Sequence, residues 1–456
     1  MLLMTLTIVA VLLTGYVLMS TMQVNHLNRA AVAMFCGVIV WVLYVFRGTD
    51  FLQLMHPEEY QTYLENTETR GLTIGDFVAN NVMVKYVAEA CYVILFLIAT
   101  NTIVGVMNNN GVFDSLVSWL RMHSSKWFLW VLSLLTFAVS ANVDNLTAAV
   151  LMLSIMSRIV NGHRQKVIYS CAILVAANLG GSFTVIGDMT SMMLWVHKVV
   201  TPSAFSAGVF LPAFATFCVF NLLLSTMLVG KVNVVSVLHR YKGDDSFLSS
   251  WQKAVMLVVG LAGLWSIPTF SAVTHFQPFI GALCVLALIW LLEGVFTFRQ
   301  NGNVLFVSQE RLHNTEFVGI QIILYYLGIA LGVGALKECG ALDAACHWLT
   351  QYIHNVYVYG ILTGFVSMFM DNVPFVMAGM NMFDLNSTAD TVLNGAYWQM
   401  LAFCSAVGGS MLYAGTLAGH AVVEVESISA WWYVKHIFWR VLIAWGVGML
   451  VFWATH

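Results

Sequence analysis

Two carboxylate–amide pairs lie deep in apolar sequence, each with a double glycine at a matched distance downstream. Asp144-Asn145 is followed, 36 residues after Asp144, by Gly180-Gly181-Ser182; Asp371-Asn372 is followed, 37 residues after Asp371, by Gly408-Gly409-Ser410. A carboxylate in hydrocarbon costs roughly 2.5–3.5 kcal/mol on insertion scales, so two at matched places read as functional groups. Asp144 offers carboxylate oxygens, Asn145 an amide oxygen and Thr147 a hydroxyl. These hard oxygen donors suit a small hard cation, and no soft ligand accompanies them. Ser182 and Thr184 add hydroxyls, and Asp188 adds a third carboxylate within the same apolar run. The second set holds Asp371, Asn372 and Ser410, but Gly415-Thr416 stands where the first has Gly187-Asp188. Asp188 therefore has no acidic counterpart, and the two sets share a shape without sharing one chemical duty.

Paired glycines cost a helix roughly 2 kcal/mol relative to alanine. An unwound turn is expected at Gly180-Gly181 and at Gly408-Gly409, freeing carbonyls for a cation and amides for an anion. Pro374, three residues after Asp371, favours a broken tip there. The plainer readings are a structural role for one aspartate and close helix packing for the glycines; repetition of the whole pattern argues against both. His420 reads as a satisfied core histidine before a titrating group. Glu89 and Glu293 are expected to reach the interface, with His197 and Lys198 at the outer boundary. The Met, Phe and Trp stripes are packing and lipid-facing surface, not a cofactor box.

These groups need a membrane scaffold. The 456 residues are 60% hydrophobic and 9% charged, with mean hydropathy +0.82, against about 25% charge in a soluble domain. The expected class is an all-α polytopic membrane protein in contact with lipid. A net charge of -3 gives no reason to expect a nucleic acid partner. The eight cysteines form no CxxC and no metal spacing with histidine, and no cofactor is implied. HExxH and GxSxG signatures are missing, so an embedded enzyme is disfavoured. Residues 2–20 read as a retained span and not a signal peptide; with no transit peptide or lipidation motif, a bacterial inner membrane is the expected location.

Apolar runs place spans near 2–20, 30–46, 87–107, 167–195, 207–229, 254–272, 278–297, 317–336, 396–423 and 437–454. Lys231, Arg240, Lys242 and Lys253 put loop 231–253 in the cytoplasm, with Arg299 and Arg311 on the same side. The acidic segment 47–86, with Glu58, Glu59, Glu65, Glu68 and Asp76, is the expected external loop. The stretch carrying Asp144 has Arg121 and Lys126 before it and Arg158, Arg164 and Lys166 after it. Two cytoplasmic ends make 127–157 a re-entrant hairpin with Asp144-Asn145 at its tip. The stretch 357–383, bounded by His354, Asp384 and Asp390, is its counterpart entering from outside.

Gly111-Val112-Phe113-Asp114 with Trp119 recurs as Gly340-Ala341-Leu342-Asp343 with Trp348. The offset is 229 here, 227 between the aspartates and 228 between the glycine pairs. The chain thus divides into residues 1–86, a first repeat 87–229 with hairpin 127–157 and broken helix 167–195, linking spans 230–316, and a second repeat 317–456 with hairpin 357–383 and broken helix 396–423. By the charge count the repeats run in opposite directions through the membrane, the arrangement that builds a transport site at the midplane.

At Val143-Asp144-Asn145-Leu146-Thr147, Ala177 to Asp188, Met370-Asp371-Asn372-Val373-Pro374 and Gly408-Gly409-Ser410 the chain resembles NhaD-type sodium/proton antiporters of the ion transporter superfamily. Arsenite permeases share the Asp-Asn tips and Gly-Gly-Ser breaks; Gly187-Asp188 looks more like the NhaD type. His420 departs from the small or apolar residue usual in that segment. The resemblance implies a homodimer in which hairpins and broken helices move against a scaffold. It implies sodium, and lithium, held at Asp144, Asn145 and Asp188 with Thr147 and Ser182 nearby, and Asp371, Asn372 and Ser410 opposite. Competition between cation and proton for these oxygens would couple their fluxes. The alternative is an arsenite or organic-anion carrier of the same superfamily, with Gly180 and Gly408 presenting helix N-termini to the anion.

Overall fold

Apolar runs of 18 residues or more cannot be solvated by water and satisfy their backbone within helices; in the computed structural model every long element is a helix. The structure describes residues 2–21, 27–65, 73–113, 120, 122–233, 248–301, 308–353, 355–383, 385–387 and 390–456, with backbone alone at 297–301 and 308–318. Among these residues eight helices are long and apolar enough to cross a membrane, and no strand occurs. Of the residues named above, Glu68, Asp114, Trp119, Arg121, Arg240, Lys242, His354 and Asp384 lie outside the described residues, and Arg299 and Arg311 are described by backbone only.

Helices α1 (Leu2–Ser20) and α2 (Arg29–Phe46) come first. Segment 47–86, expected as a loop, is largely helical: α3 (Gly48–Met55), α4 (Pro57–Glu65) and the start of α5 (Ile74–Asn109). Its acidic residues misled the sequence reading because Asp76 belongs to a cap. Thr73 Oγ1 accepts from the Asp76 amide and Asp76 Oδ2 from the Thr73 amide at 2.6 Å. Thr73→Ala should cost about 1 kcal/mol, read as a lowered thermal midpoint in detergent.

The first half continues with α6 (Ser125–Ser140), α7 (Asn145–Ile159), α8 (His163–Ser182), α9 (Met189–Val196) and α10 (Pro202–Ser225). Helices α11 (Ser250–Thr274) and α12 (Pro278–Asn301) link it to the second half. That half holds α13 (Ser308–Glu338), α14 (Ala341–Tyr352), α15 (Val356–Ser367), α16 (Asn372–Met382), α17 (Ala396–Met411), α18 (Leu417–Glu426) and α19 (Ala430–Thr455). The pairs α6–α7 and α15–α16, of 16 and 15 and of 12 and 11 residues, are too short for each helix to cross alone.

Contacts recur between the halves at the sequence offset. Gly111 and Gly340 both take positive φ, 68° and 73°, and end α5 and α13. Ser140 Oγ donates to the Ala177 carbonyl at 2.6 Å, and Ser367 Oγ to the Ser405 carbonyl at 2.8 Å. Residues 167–182 of α8 and 397–411 of α17 are buried throughout, so these two helices form the centre and touch each other. Helix α9 packs on α16, and α18 packs on α7, so each half's short segment lies against the other's tip helix. Outward-facing Phe35, Trp265, Leu291 and Trp453 are exposed apolar residues suited to lipid.

Candidate functional site

Asp144 and Asp371 each stand just before a short helix, with nearly the same backbone: φ -45°, ψ 138° and φ -53°, ψ 142°. Asp144 caps α7. Its Oδ2 accepts from the Leu146 and Thr147 amides at 3.2 and 3.4 Å, where the helix N-terminus favours negative charge. Asp371 caps nothing with its side chain; its Oδ2 accepts from the Tyr325 hydroxyl at 2.9 Å. The remaining oxygen of each, Oδ1, is buried without a hydrogen-bond partner. Asp144 and Asp188 are 2% exposed and Asp371 8%, so neither tip points into water.

Asp188 lies between the halves. Its Oδ1 accepts from Asn145 Nδ2 at 3.3 Å, and its Oδ2 from Asn372 Nδ2 at 3.2 Å and Thr190 Oγ1 at 2.8 Å. The amides after both tip aspartates thus meet on one carboxylate. Asn145 Nδ2 also reaches Asn178 Oδ1 at 3.2 Å, while Asn178 Nδ2 donates to Ser410 Oγ at 2.9 Å and Thr416 Oγ1 at 3.3 Å. Asp188 and Thr416 hold equivalent extended positions, φ -143° and -146°, each opening the short helix of its half.

Of the expected site residues, Asn145, Asp188, Asn372 and Ser410 join one hydrogen-bonded network, and Asp144 adjoins it through Asn145. Three hydroxyls are directed elsewhere. Thr147 Oγ1 pairs with Asn101, Ser182 Oγ donates to the Leu179 carbonyl at 2.9 Å, and Thr184 Oγ1 donates to the Ala141 carbonyl at 2.7 Å. Buried hydroxyls spend their protons on the nearest free carbonyl, which type and spacing alone do not reveal.

The expected unwinding at the glycines is displaced. Gly180, Gly181, Gly408 and Gly409 lie in the last helical turns of α8 and α17, and the breaks follow at 183–188 and 412–416. The glycines permit backbone contact instead. A Cβ on Gly180 would meet the Phe137 Cα at 2.8 Å, and one on Gly408 the Gly364 Cα at 2.9 Å. Pro374 does not break the tip either; it sits in the first turn of α16, which tolerates proline.

Other groups were missed by the sequence reading. Asn178, Thr190 and Thr416 belong to the network, and their polar types inside apolar runs were the available signal. Glu89 pairs with His197 at 3.1 Å, and Glu293 accepts from Asn110 Nδ2 at 2.7 Å. His420 is satisfied, as expected: Nδ1 donates to the Thr416 carbonyl at 2.9 Å and Nε2 meets Arg29.

Paired broken helices, buried acids and an apolar exterior define a multi-pass membrane protein of the transporter class. The chain belongs to the citrate transporter family (CitMHS), matched over residues 1–408, and is of the NhaD type within the ion transporter superfamily. It is 30% identical over 373 residues to a protein named sodium/proton antiporter 1 of Arabidopsis thaliana, covering 81% of this chain and 62% of that protein. It is 25% identical to the Na(+)/H(+) antiporter NhaD of Vibrio parahaemolyticus, over 81% of this chain and 91% of the relative. With the NhaD of Halomonas elongata it shares 22% identity over 96% of this chain and 85% of the relative. The chain thus spans less than two thirds of the length of the Arabidopsis relative.

Proposed function

We propose that this protein exchanges sodium, and lithium, for protons across a bacterial inner membrane; the names of its relatives state sodium/proton antiport for them. The observation that carries this reading is the single Asp188 carboxylate held by Asn145 and Asn372 from opposite halves. A carboxylate shielded from water holds its proton more tightly. Losing the proton leaves a charge that a small cation can neutralise, with Asp144 supplying its unpartnered oxygen beside it. Proton and cation therefore occupy these oxygens in turn. Moving bare charge out of water costs several kcal/mol, so the transport unit crosses protonated or loaded and resists crossing empty.

On this reading α6–α7 and α15–α16 are re-entrant hairpins of two inverted repeats, and the broken helices rock against a scaffold that pairs with a second copy. Sodium would lie at Asp144, Asn145 and Asp188. The family description names citrate, but the network of Asp144, Asn145, Asn178, Asp188, Asn372, Ser410 and Thr416 contains no basic side chain. A tricarboxylate would meet uncompensated like charge there.

The test is dye-monitored pH change in everted vesicles challenged in turn with sodium, lithium and potassium. Sodium and lithium should release the imposed proton gradient. The half-saturating sodium concentration should rise on acidification, by up to about tenfold per pH unit for one competing proton. Proton movement with citrate or arsenite and none with sodium would overturn the proposal.

A further inference from the structure

The two tips differ in one respect that their shared backbone conceals. Asp371 lines a cavity of about 10 Å³ together with Arg29, Tyr16 and Tyr325, a space on the order of one water. Arg29 opens α2, where Asn28 caps the helix by accepting from the Ala30 amide at 2.9 Å. Its Nε donates to the Met19 carbonyl at 3.2 Å, and its Nη2 meets His420 Nε2. Since His420 Nδ1 faces the Thr416 carbonyl, its proton sits there and Nε2 presents a lone pair to the guanidinium. Arg29 is thus fixed from two sides. Its third nitrogen, Nη1, is buried without a hydrogen-bond partner, as is Asp371 Oδ1. An unmatched cation donor and an unmatched anion oxygen belong to two residues that line the same small cavity.

Among the described residues the first half has no equivalent. Offsets of 227–229 from Tyr325 land on Phe96, Leu97 and Ile98, and the same offsets from His420 land on Ser191, Met192 and Met193. Arg29 lies before either repeat, on a helix without a counterpart in the duplication.

We propose that Arg29 is the resident counter-cation of Asp371, a positioning residue that neutralises the second tip so that only the Asp144–Asp188 side takes a transported cation. The consequence for transport rests on the antiport reading above; the charge pairing does not. A buried carboxylate needs a partner. At Asp371 the protein supplies one from its own chain, with Tyr325 holding the other oxygen and His420 steering the guanidinium. At Asp144 it supplies none among the described residues, which leaves that oxygen for an exchangeable ion.

A double-mutant cycle on the full chain tests this, using Arg29→Gln, Asp371→Asn and both together. It is read as the thermal midpoint in detergent without sodium and as sodium-driven proton movement in vesicles. Each single change should lower the midpoint and slow exchange about tenfold, and the double variant should recover to within about threefold of the unaltered protein. Arg29→Lys, which keeps the charge, should retain more exchange than Arg29→Gln. If Arg29→Gln fails to fold, rescue of folding by Asp371→Asn supports the pairing and failure to rescue overturns it. Losses that simply add in both readouts also overturn it. A coupled thermal cycle in a protein that moves no protons with sodium would support the pairing and remove the antiport reading alone.

Discussion

On the antiport reading, Asp188→Asn should abolish sodium-driven proton exchange, with a loss of at least about a hundredfold, while leaving the protein folded. The substitution keeps the shape of the side chain but removes the charge that proton and cation contest. It also turns an amide group toward neighbours that are themselves donors. Asn145, Asn372 and Thr190 all give protons to Asp188, and an asparagine there has one oxygen to receive them. Replacing a buried charge by a neutral isostere relieves desolvation, while a donor that loses its acceptor costs stability; the two effects oppose each other, so the protein should stay folded with a thermal midpoint near that of the unaltered chain. Asp144→Asn should match it in transport, since that change removes the unpartnered oxygen beside the network. The measurement pairs exchange in everted vesicles with the melting of purified protein. Normal exchange rates in both variants would refute the assignment of the site; a collapse of folding in both would mark the carboxylates as structural anchors.

Much of this arrangement was legible in the chain. The long apolar runs locate the helices, because a span must be helical and its length is set by the bilayer, although α5, α13 and α19 begin 13, 9 and 7 residues before the apolar runs that mark them. The recurring Asp-Asn and Gly-Gly-Ser motifs lead to residues that meet across the two halves, since motifs at one common offset occupy matching places. What the sequence withheld follows from physics that spacing does not encode. The direction in which a hydroxyl donates depends on which carbonyl is free, so Thr147, Ser182 and Thr184 pair away from Asp188. Segment 47–86 was read from its charges as a loop, yet Pro57-Glu58-Glu59 opens a helix, as acidic residues in a first turn do. Arg29 could not be placed at Asp371 from sequence, because 342 residues separate them and neither repeat contains it.

The glycines show the same division between what is written and what must be seen. Double glycine suggests a weak point in a helix, and both pairs sit close to one. Their helical backbone, however, shows that flexibility is not their main use. Gly180 lies against Phe137 and Gly408 against Gly364, backbone to backbone, where the central helix of each half crosses the first helix of the tip pair. Gly187 and Gly415 lie as closely on the last turns of the same central helices: a Cβ on Gly187 would meet the Gly181 Cα at 2.8 Å, and one on Gly415 the Gly409 Cα at 2.6 Å. Such approach between helices is what small residues permit within a membrane.

Gly180→Ala and Gly408→Ala should therefore be among the most damaging single methyl groups that can be added to this chain. Each new Cβ would collide with backbone, which cannot swing aside as a long side chain can. A Cβ at Gly180 would meet the Phe137 carbonyl carbon at 2.9 Å, and one at Gly408 the Gly364 carbonyl carbon at the same distance. Overpacking of this kind costs about 1–3 kcal/mol or more, against a gain of up to about 1 kcal/mol in helix propensity. The net sign is destabilising, and it should be similar in the two halves because the contact is duplicated. The damage should also reach the site. Ser140 and Ser367 fasten the same crossings through Ala177 and Ser405, and a shift there moves Asn145 or Asn372 off Asp188. Gly105 and Gly446 supply the control: a Cβ at either finds nothing within 4 Å, so alanine there should leave both readouts unchanged or slightly improved. Equal melting and exchange for Gly180→Ala and Gly105→Ala would show that the central crossing has room for a methyl group and would overturn this prediction.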